Sequence, residues 1–143
     1  MKGEREMTDP VSPEPTPATG KRVLVAEDAA TIRLYYRQVL EAAGFFVDEA
    51  VNGVEALERV LSAPFDLLIA DINMSPMDGL RLIRLIRQDA GLRSMPALVI
   101  STENREAGQR MAYEAGANFF LLKPAAPETL VRTVRLMTGV GSP

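Results

Sequence analysis

Neither cysteine nor histidine occurs among the 143 residues. Without cysteine there can be no disulfide, no thiol nucleophile and no thiolate ligand for zinc or iron–sulfur, which is compatible with a reducing cytoplasm. Without histidine there can be no Ser-His-Asp triad, no imidazole-ligated metal and no phosphohistidine on this chain. Most general acid–base chemistry thereby loses its usual residue. A basic excess is missing as well: 16 Lys and Arg face 19 Asp and Glu, for a formal net charge of -3. That balance speaks against direct DNA binding. No apolar run is long enough to span a membrane. What remains for chemistry is carboxylates, lysine, hydroxyls and backbone.

The length is that of one domain. Residues 1–20 stand apart: they hold Pro10, Pro13, Pro15 and Pro17 and almost no large apolar side chain. Such a segment cannot bury enough surface to offset its ordering entropy. It is expected to be a flexible, partly extended arm that contributes little to folding. It lacks the apolar stretch of a signal peptide. Residues 21–143 are expected to form the domain proper.

From Lys21 onward, short apolar runs alternate with helical spacing. Strands are expected at Arg22–Ala26, Phe46–Ala50, Asp66–Ala70, Ala97–Ile100 and Phe119–Leu122. After the first strand, Ile32, Tyr35, Tyr36, Val39, Leu40 and Ala43 fall on one helical face, with Gly44 closing the helix. Asn52 followed by Glu55 reads as an N-cap with a carboxylate three residues on. The third helix carries Leu82, Ile83, Leu85 and Ile86, with Arg81, Arg84 and Arg87 expected as a solvated row. The fourth, Arg105–Ala115, has a sparse apolar stripe and contains Gly108. The last starts near Pro127 and is expected to bury Leu130, Val131, Val134 and Met137. Strands that are apolar on successive residues are covered on both faces, which implies a parallel sheet. Five β–α units then give an α/β doubly wound five-stranded sheet, flavodoxin-like, in the order 2-1-3-4-5.

In such a sheet, sites form beyond the carboxyl ends of the strands. Strand 1 ends in Glu27-Asp28, strand 3 in Asp71, strand 4 in Ser101-Thr102 and strand 5 in Lys123. Three carboxylates at one edge call for a cation between them, and hard oxygen donors suit Mg²⁺. A carboxylate nucleophile, a divalent metal, an ammonium and a hydroxyl together make a phosphoryl-transfer site. Each residue alone is an ordinary cap, turn or surface charge; the combination carries the signal. There is no GxxxxGK[ST] and no GxGxxG, so neither an NTP P-loop nor a dinucleotide fingerprint is present.

The stretches VLVAED (23–28), LLIADINMSPMDGL (67–80), LVISTE (98–103) and AGANFFLLKP (115–124) resemble those of the response-regulator receiver domains, single-domain CheY-like type. The resemblance covers residues 21–139. It implies that Asp71 is the phosphoacceptor, with Ser101, Thr102 and Lys123 completing the reacting set. It further implies Mg²⁺ on Glu27, Asp28, Asp71 and the backbone carbonyl of Asn73, with Asp28 direct and Glu27 through water. Ser101 and Phe120 would be the switch residues, Phe120 moving inward from an outer position on activation, and Lys123-Pro124 a cis peptide. Partners would be a sensor histidine kinase or phosphotransfer protein and a downstream protein target, in the cytoplasm, with chemotaxis one candidate output. Only a few residues follow the last helix, so output is expected through protein contacts rather than an attached domain. The domain would be a switch, not an enzyme in the turnover sense. Three positions depart from the pattern: proline comes one residue late in Met74-Ser75-Pro76, Thr102 replaces Ala or Gly, and Phe120 replaces Tyr.

Two other readings stay open. One is a constitutive pseudo-receiver, which Mg²⁺-dependent labelling by acetyl phosphate separates from a switch. The other is a small phosphatase with Asp71 as nucleophile, which turnover of a phosphate ester would reveal.

Overall fold

The computed structural model describes residues 17–141. Five strands alternate with five helices: β1 Arg22–Ala26, α1 Ala30–Ala42, β2 Phe46–Ala50, α2 Gly53–Ser62, β3 Leu67–Ala70, α3 Gly79–Gln88, β4 Ala97–Ser101, α4 Arg105–Ala115, β5 Phe119–Leu122 and α5 Pro127–Thr138. All pairings are parallel, and the order is β2-β1-β3-β4-β5. This is the doubly wound arrangement expected from the alternating pattern.

The central strands are apolar on successive residues because both faces are covered. Leu24, Ala26, Leu68, Ala70, Ala97, Val99 and Phe120 face a core shared with α2, α3 and α4. Val23, Val25, Leu67, Ile69, Leu98 and Ile100 face the core closed by α1 and α5. Each fully buried aliphatic side chain contributes about 1.5–3 kcal/mol, so the inner strands bind their covering helices firmly. Among the described residues, no helix is long and apolar enough to cross a membrane.

The helix ends follow the sequence signals. Asn52 Oδ1 accepts from Glu55 N–H at 2.9 Å, and Glu55 Oε1 reaches back to Val51 N–H at 2.8 Å. Asp78 and Asn104 cap α3 and α4 in the same manner. Three expectations need correction. β3 begins at Leu67, one residue later than expected; Asp66 sits at its entry, its N–H donating to the Arg22 carbonyl at 2.8 Å and its carboxylate accepting the Arg22 N–H at 2.8 Å. In α5, Val131 and Met137 are only half-buried, while Thr133 is buried. Arg87 is not part of a solvated row: its guanidinium donates to the carbonyls of Gly116 at 2.8 Å and Met95 at 2.7 Å, and to Asn118 Oδ1 at 2.8 Å. It thereby ties α3 to the turns that open β4 and β5.

The chain is fastened to the domain before Lys21. Thr19 N–H donates to the Gly44 carbonyl at 2.9 Å, and Lys21 N–H to Thr19 Oγ1 at 3.1 Å. The rest of the expected arm, residues 1–16, lies outside the described residues.

Candidate functional site

Strand register builds the site. β1 and β3 are neighbours, with Ala26 opposite Ala70. The next residue on each is an acid, so Glu27 and Asp71 emerge side by side. Asp71 N–H still donates to the Ala26 carbonyl at 3.2 Å, and Glu27 N–H to the Ala50 carbonyl at 3.0 Å. Both carboxylates are therefore held on backbone that belongs to the sheet. Glu27, Asp28 and Asp71 each offer an oxygen within 4.8 Å of the others'. Glu27 and Asp71 are buried and Asp28 is exposed.

Lys123 follows the end of β5 and closes the cluster. Its backbone N–H donates to the Ser101 carbonyl at 2.9 Å, which anchors it to β4. Its Nζ donates to Glu27 Oε1 at 2.8 Å and to Asp71 Oδ2 at 3.2 Å. The Lys123–Pro124 bond is cis, and Tyr35 Oη on α1 donates to the Ala125 carbonyl at 2.7 Å, holding the turn that carries the lysine. Burial opposes the Lys123 ammonium, but the hydrogen bond to Glu27 and the charges of both carboxylates outweigh it and raise its pKa. Burial also pushes the Glu27 carboxyl up, an effect that Lys123 and the Ala29 N–H only partly offset. A group of hard oxygen donors at a partly open pocket, one of them exposed, suits a small divalent cation that keeps some of its waters.

Asp71, Glu27, Asp28 and Lys123 are thus brought together as expected. Ser101 is fully buried at the end of β4, where its Oγ accepts from Glu103 N–H at 3.2 Å. Thr102 and Asn73 are exposed nearby in sequence, one after β4 and the other two residues beyond Asp71. The loop after Asp71 turns through a cis Ser75–Pro76 bond and through Met77 at a φ of 64°. The Met77 carbonyl accepts from Gly53 N–H at 3.0 Å, which fixes the loop to the start of α2. Gly79 lies so close beneath Asp71 that an added Cβ would come 2.1 Å from the Asp71 carbonyl oxygen.

Phe120 does not occupy an outer position. It is 1% exposed, and its neighbour Phe119 takes the surface at 43%. The ring has room because Gly108 on α4 lacks a side chain: a Cβ there would stand 2.6 Å from Phe120 Cζ. The ring thus stands inside in this structure, where an outer starting position was expected.

Three supporting residues were given no role in the site from the sequence. Arg33 donates to the Glu27 carbonyl at 2.7 Å, Tyr35 holds the Ala125 turn, and Gly79 makes room for the Asp71 backbone. Tyr35 acts across the fold, and Arg33 reaches back from α1 to the end of β1; periodicity is blind to both contacts. Gly79 stands in the DG pair that opens α3, and that pair could have pointed to a close approach.

Residues 23–135 match the family described as response regulator receiver domain. Among curated proteins, the chain is 34% identical over 120 residues to the chemotaxis protein CheY1 of Helicobacter pylori, covering 82% of this chain and 97% of that one. It is 33% identical over 116 residues to the transcriptional regulatory protein ResD of Bacillus subtilis, covering 81% of this chain but 47% of that one. Among solved structures, the chemotaxis response regulator CheY4 of Vibrio cholerae superposes with a TM-score of 0.78 at 33% identity, over 83% of this chain and 99% of that one. The signal receiver domain of a histidine kinase from Syntrophus aciditrophicus gives 0.79 at 27% identity, over 84% and 91%.

Proposed function

The chain belongs to the response regulator receiver domain family, and on that footing we propose that it is a phosphorylation-operated switch whose acceptor is Asp71. Two-component signalling is the setting that family membership implies. The observation that carries the finer reading is the convergence of Glu27, Asp28, Asp71 and Lys123 at the ends of β1, β3 and β5.

In this reading Glu27, Asp28, Asp71 and the Asn73 carbonyl would hold Mg²⁺, with Asp28 in direct contact and Glu27 through water. When bound, the ion supplies positive charge to the oxygens of the transferring phosphoryl group. An Asp71 carboxylate oxygen attacks phosphorus as the phosphorus–nitrogen bond of a partner's phosphohistidine breaks, and the imidazole nitrogen keeps the electron pair. The donor is a sensor histidine kinase, a phosphotransfer protein or a small acyl phosphate, because this chain contains no histidine. Lys123 then pairs with a phosphoryl oxygen. The Ser101 hydroxyl turns from Glu103 toward the group, and Thr102 borders its approach. Water later cleaves the acyl phosphate, returning the carboxylate and inorganic phosphate. The domain acts on itself and is a switch, not a turnover enzyme.

Output follows from Ser101 and Phe120. With Phe120 already inside, the moving parts are Ser101 and the α4 segment resting on the ring at Gly108. Arg105, Arg110 and Tyr113 are exposed on α4, and they would present an altered surface to a downstream protein in the cytoplasm. Chemotaxis is an output that the likeness to the CheY proteins raises. The test is acid-labile phosphate incorporation from acetyl phosphate with Mg²⁺. Wild type should label and Asp71→Asn should not, while keeping its circular dichroism. No labelling of wild type would remove the proposal and favour a constitutive interaction module, and equal labelling of both would remove Asp71 as the acceptor.

A further inference from the structure

Helix α1 grips both backbone segments that carry the Glu27–Lys123 pair. Arg33 donates to the Glu27 carbonyl at 2.7 Å. Two residues later, Tyr35 Oη donates to the Ala125 carbonyl at 2.7 Å. Tyr36 and Leu40 are the buried residues of this helix, so its rotation on the sheet is fixed. Tyr35 is left at the border, its ring packed against the core that α1 and α5 close. The Tyr36 ring lies 5.7 Å from it at a tilt of 51°, an arrangement that aromatic pairs favour.

The turn between β5 and α5 has few other ties. Pro124 has no N–H to give. Among the described residues, the bond from Tyr35 is the one hydrogen bond made to Pro124 or Ala125. On the strand side, the Lys123 N–H is tied to the Ser101 carbonyl at 2.9 Å. Lys123 is therefore gripped from β4 before the turn and from α1 after it. The grip matters because the ammonium rides on a flexible four-carbon stem. It divides itself between Glu27 Oε1 at 2.8 Å and Asp71 Oδ2 at 3.2 Å, so a small shift of the turn alters the division.

We infer that Tyr35 is a positioning residue for phosphoryl transfer: through the Ala125 carbonyl it keeps Lys123 Nζ within reach of Asp71 as well as Glu27. The ammonium is then in place when a phosphoryl oxygen arrives beside Asp71. Without the hydroxyl the turn loses this hold, and the ammonium settles on Glu27, the nearer acid. Tyr35 itself makes no hydrogen bond to the acidic cluster and acts through Lys123. The inference rests on the reading of Asp71 as the acceptor.

Tyr35→Phe removes one oxygen and keeps the ring. Labelling is followed with acetyl phosphate at saturating Mg²⁺, where an Asp71 oxygen takes the phosphoryl group and acetate leaves with the bonding electron pair. At a temperature where circular dichroism shows both chains folded, the variant should label about fivefold more slowly than wild type, the effect of one net hydrogen bond. The second readout is the side-chain ammonium resonance of Lys123 in metal-free protein. The chain has three lysines, Lys2, Lys21 and Lys123, so the signals are readily told apart. That of Lys123 should shift in the variant and that of Lys21 should not. Equal labelling rates would overturn the inference. So would slower labelling with an unmoved Lys123 resonance, since Tyr35 would then act by another route. Wild type that does not label at all would overturn the acceptor reading and this inference with it, an outcome distinct from a labelling wild type matched by its variant.

Discussion

Lys123 Nζ stands 2.8 Å from Glu27 Oε1, closer than its 3.2 Å from Asp71 Oδ2. In this structure the lysine therefore neutralises the buried acid of β1 more than the acceptor. It does for Glu27 what a metal ion would do for the whole acidic cluster.

Replacing this lysine tests that equivalence. Lys123→Met leaves a carboxylate that is 1% exposed without its ion pair. Breaking such a pair costs about 3 kcal/mol in the absence of metal. Millimolar Mg²⁺ should recover more stability in the variant than in wild type, because the cation takes over the neutralising role. Glu27 already has a raised pKa, and losing Lys123 raises it further. The burial penalty is therefore full above that raised value and vanishes below the ordinary glutamate value of 4.5. The deficit should accordingly be smaller at mildly acidic pH than at neutral pH. Urea titrations at both pH values, with and without Mg²⁺, check this. A variant as stable as wild type without metal would contradict it.

Gly108 and Phe120 form a second testable pair. Gly108→Ala places a methyl 2.6 Å from Phe120 Cζ, and overpacking of this kind costs about 1–3 kcal/mol. Alanine's better helix propensity offsets about 1 kcal/mol of that. Phe120→Leu in the same chain should relieve the clash and show a coupling of about 1 kcal/mol in a double-mutant cycle. Additive effects would mean that the ring and α4 do not constrain one another. Amide exchange with beryllofluoride should then change over residues 104–122. Change confined to the surroundings of Asp71 would place the output face elsewhere.

Glu49 controls an acid-sensitive contribution at the β2 edge. It accepts from Arg33 at 2.7 Å and also pairs with Arg37. Burial works against the carboxylate, but the hydrogen bonds from Arg33 and Arg37 prevail and lower its pKa below the ordinary 4.5. The stabilisation is thus present above 4.5 and is lost as pH falls through the lowered folded value. Glu49→Gln should cost about 1 kcal/mol at pH 7, the upper end for a partly exposed pair. The difference from wild type should shrink toward pH 3, as followed by chemical denaturation at each pH. A difference that does not depend on pH would contradict the charge-based account.

The strands and the polar residues at their carboxyl ends were legible because they depend on local runs and on one topological rule. Glu27, Asp71 and Lys123 meet for that reason. The sequence did not show which carboxylate would be buried: adjacent acids look alike, yet Glu27 is enclosed and Asp28 open. Phe119-Phe120 posed the same problem, and a glycine twelve residues earlier decided which ring went in. Arg87 read as surface because its partners Gly116 and Asn118 are about thirty residues away. The polar side-chain contacts that cross the fold were the unreadable part.

The central claim is that Asp71 alone carries the phosphoryl group. The most direct measurement is reductive trapping: protein treated with acetyl phosphate and Mg²⁺ is reduced with borohydride, which converts an aspartyl phosphate to homoserine, and is then mapped by mass spectrometry. The account predicts homoserine at position 71 and at no other carboxylate. Homoserine at position 28 or elsewhere, or unmodified Asp71 in protein that has incorporated phosphate, would contradict it.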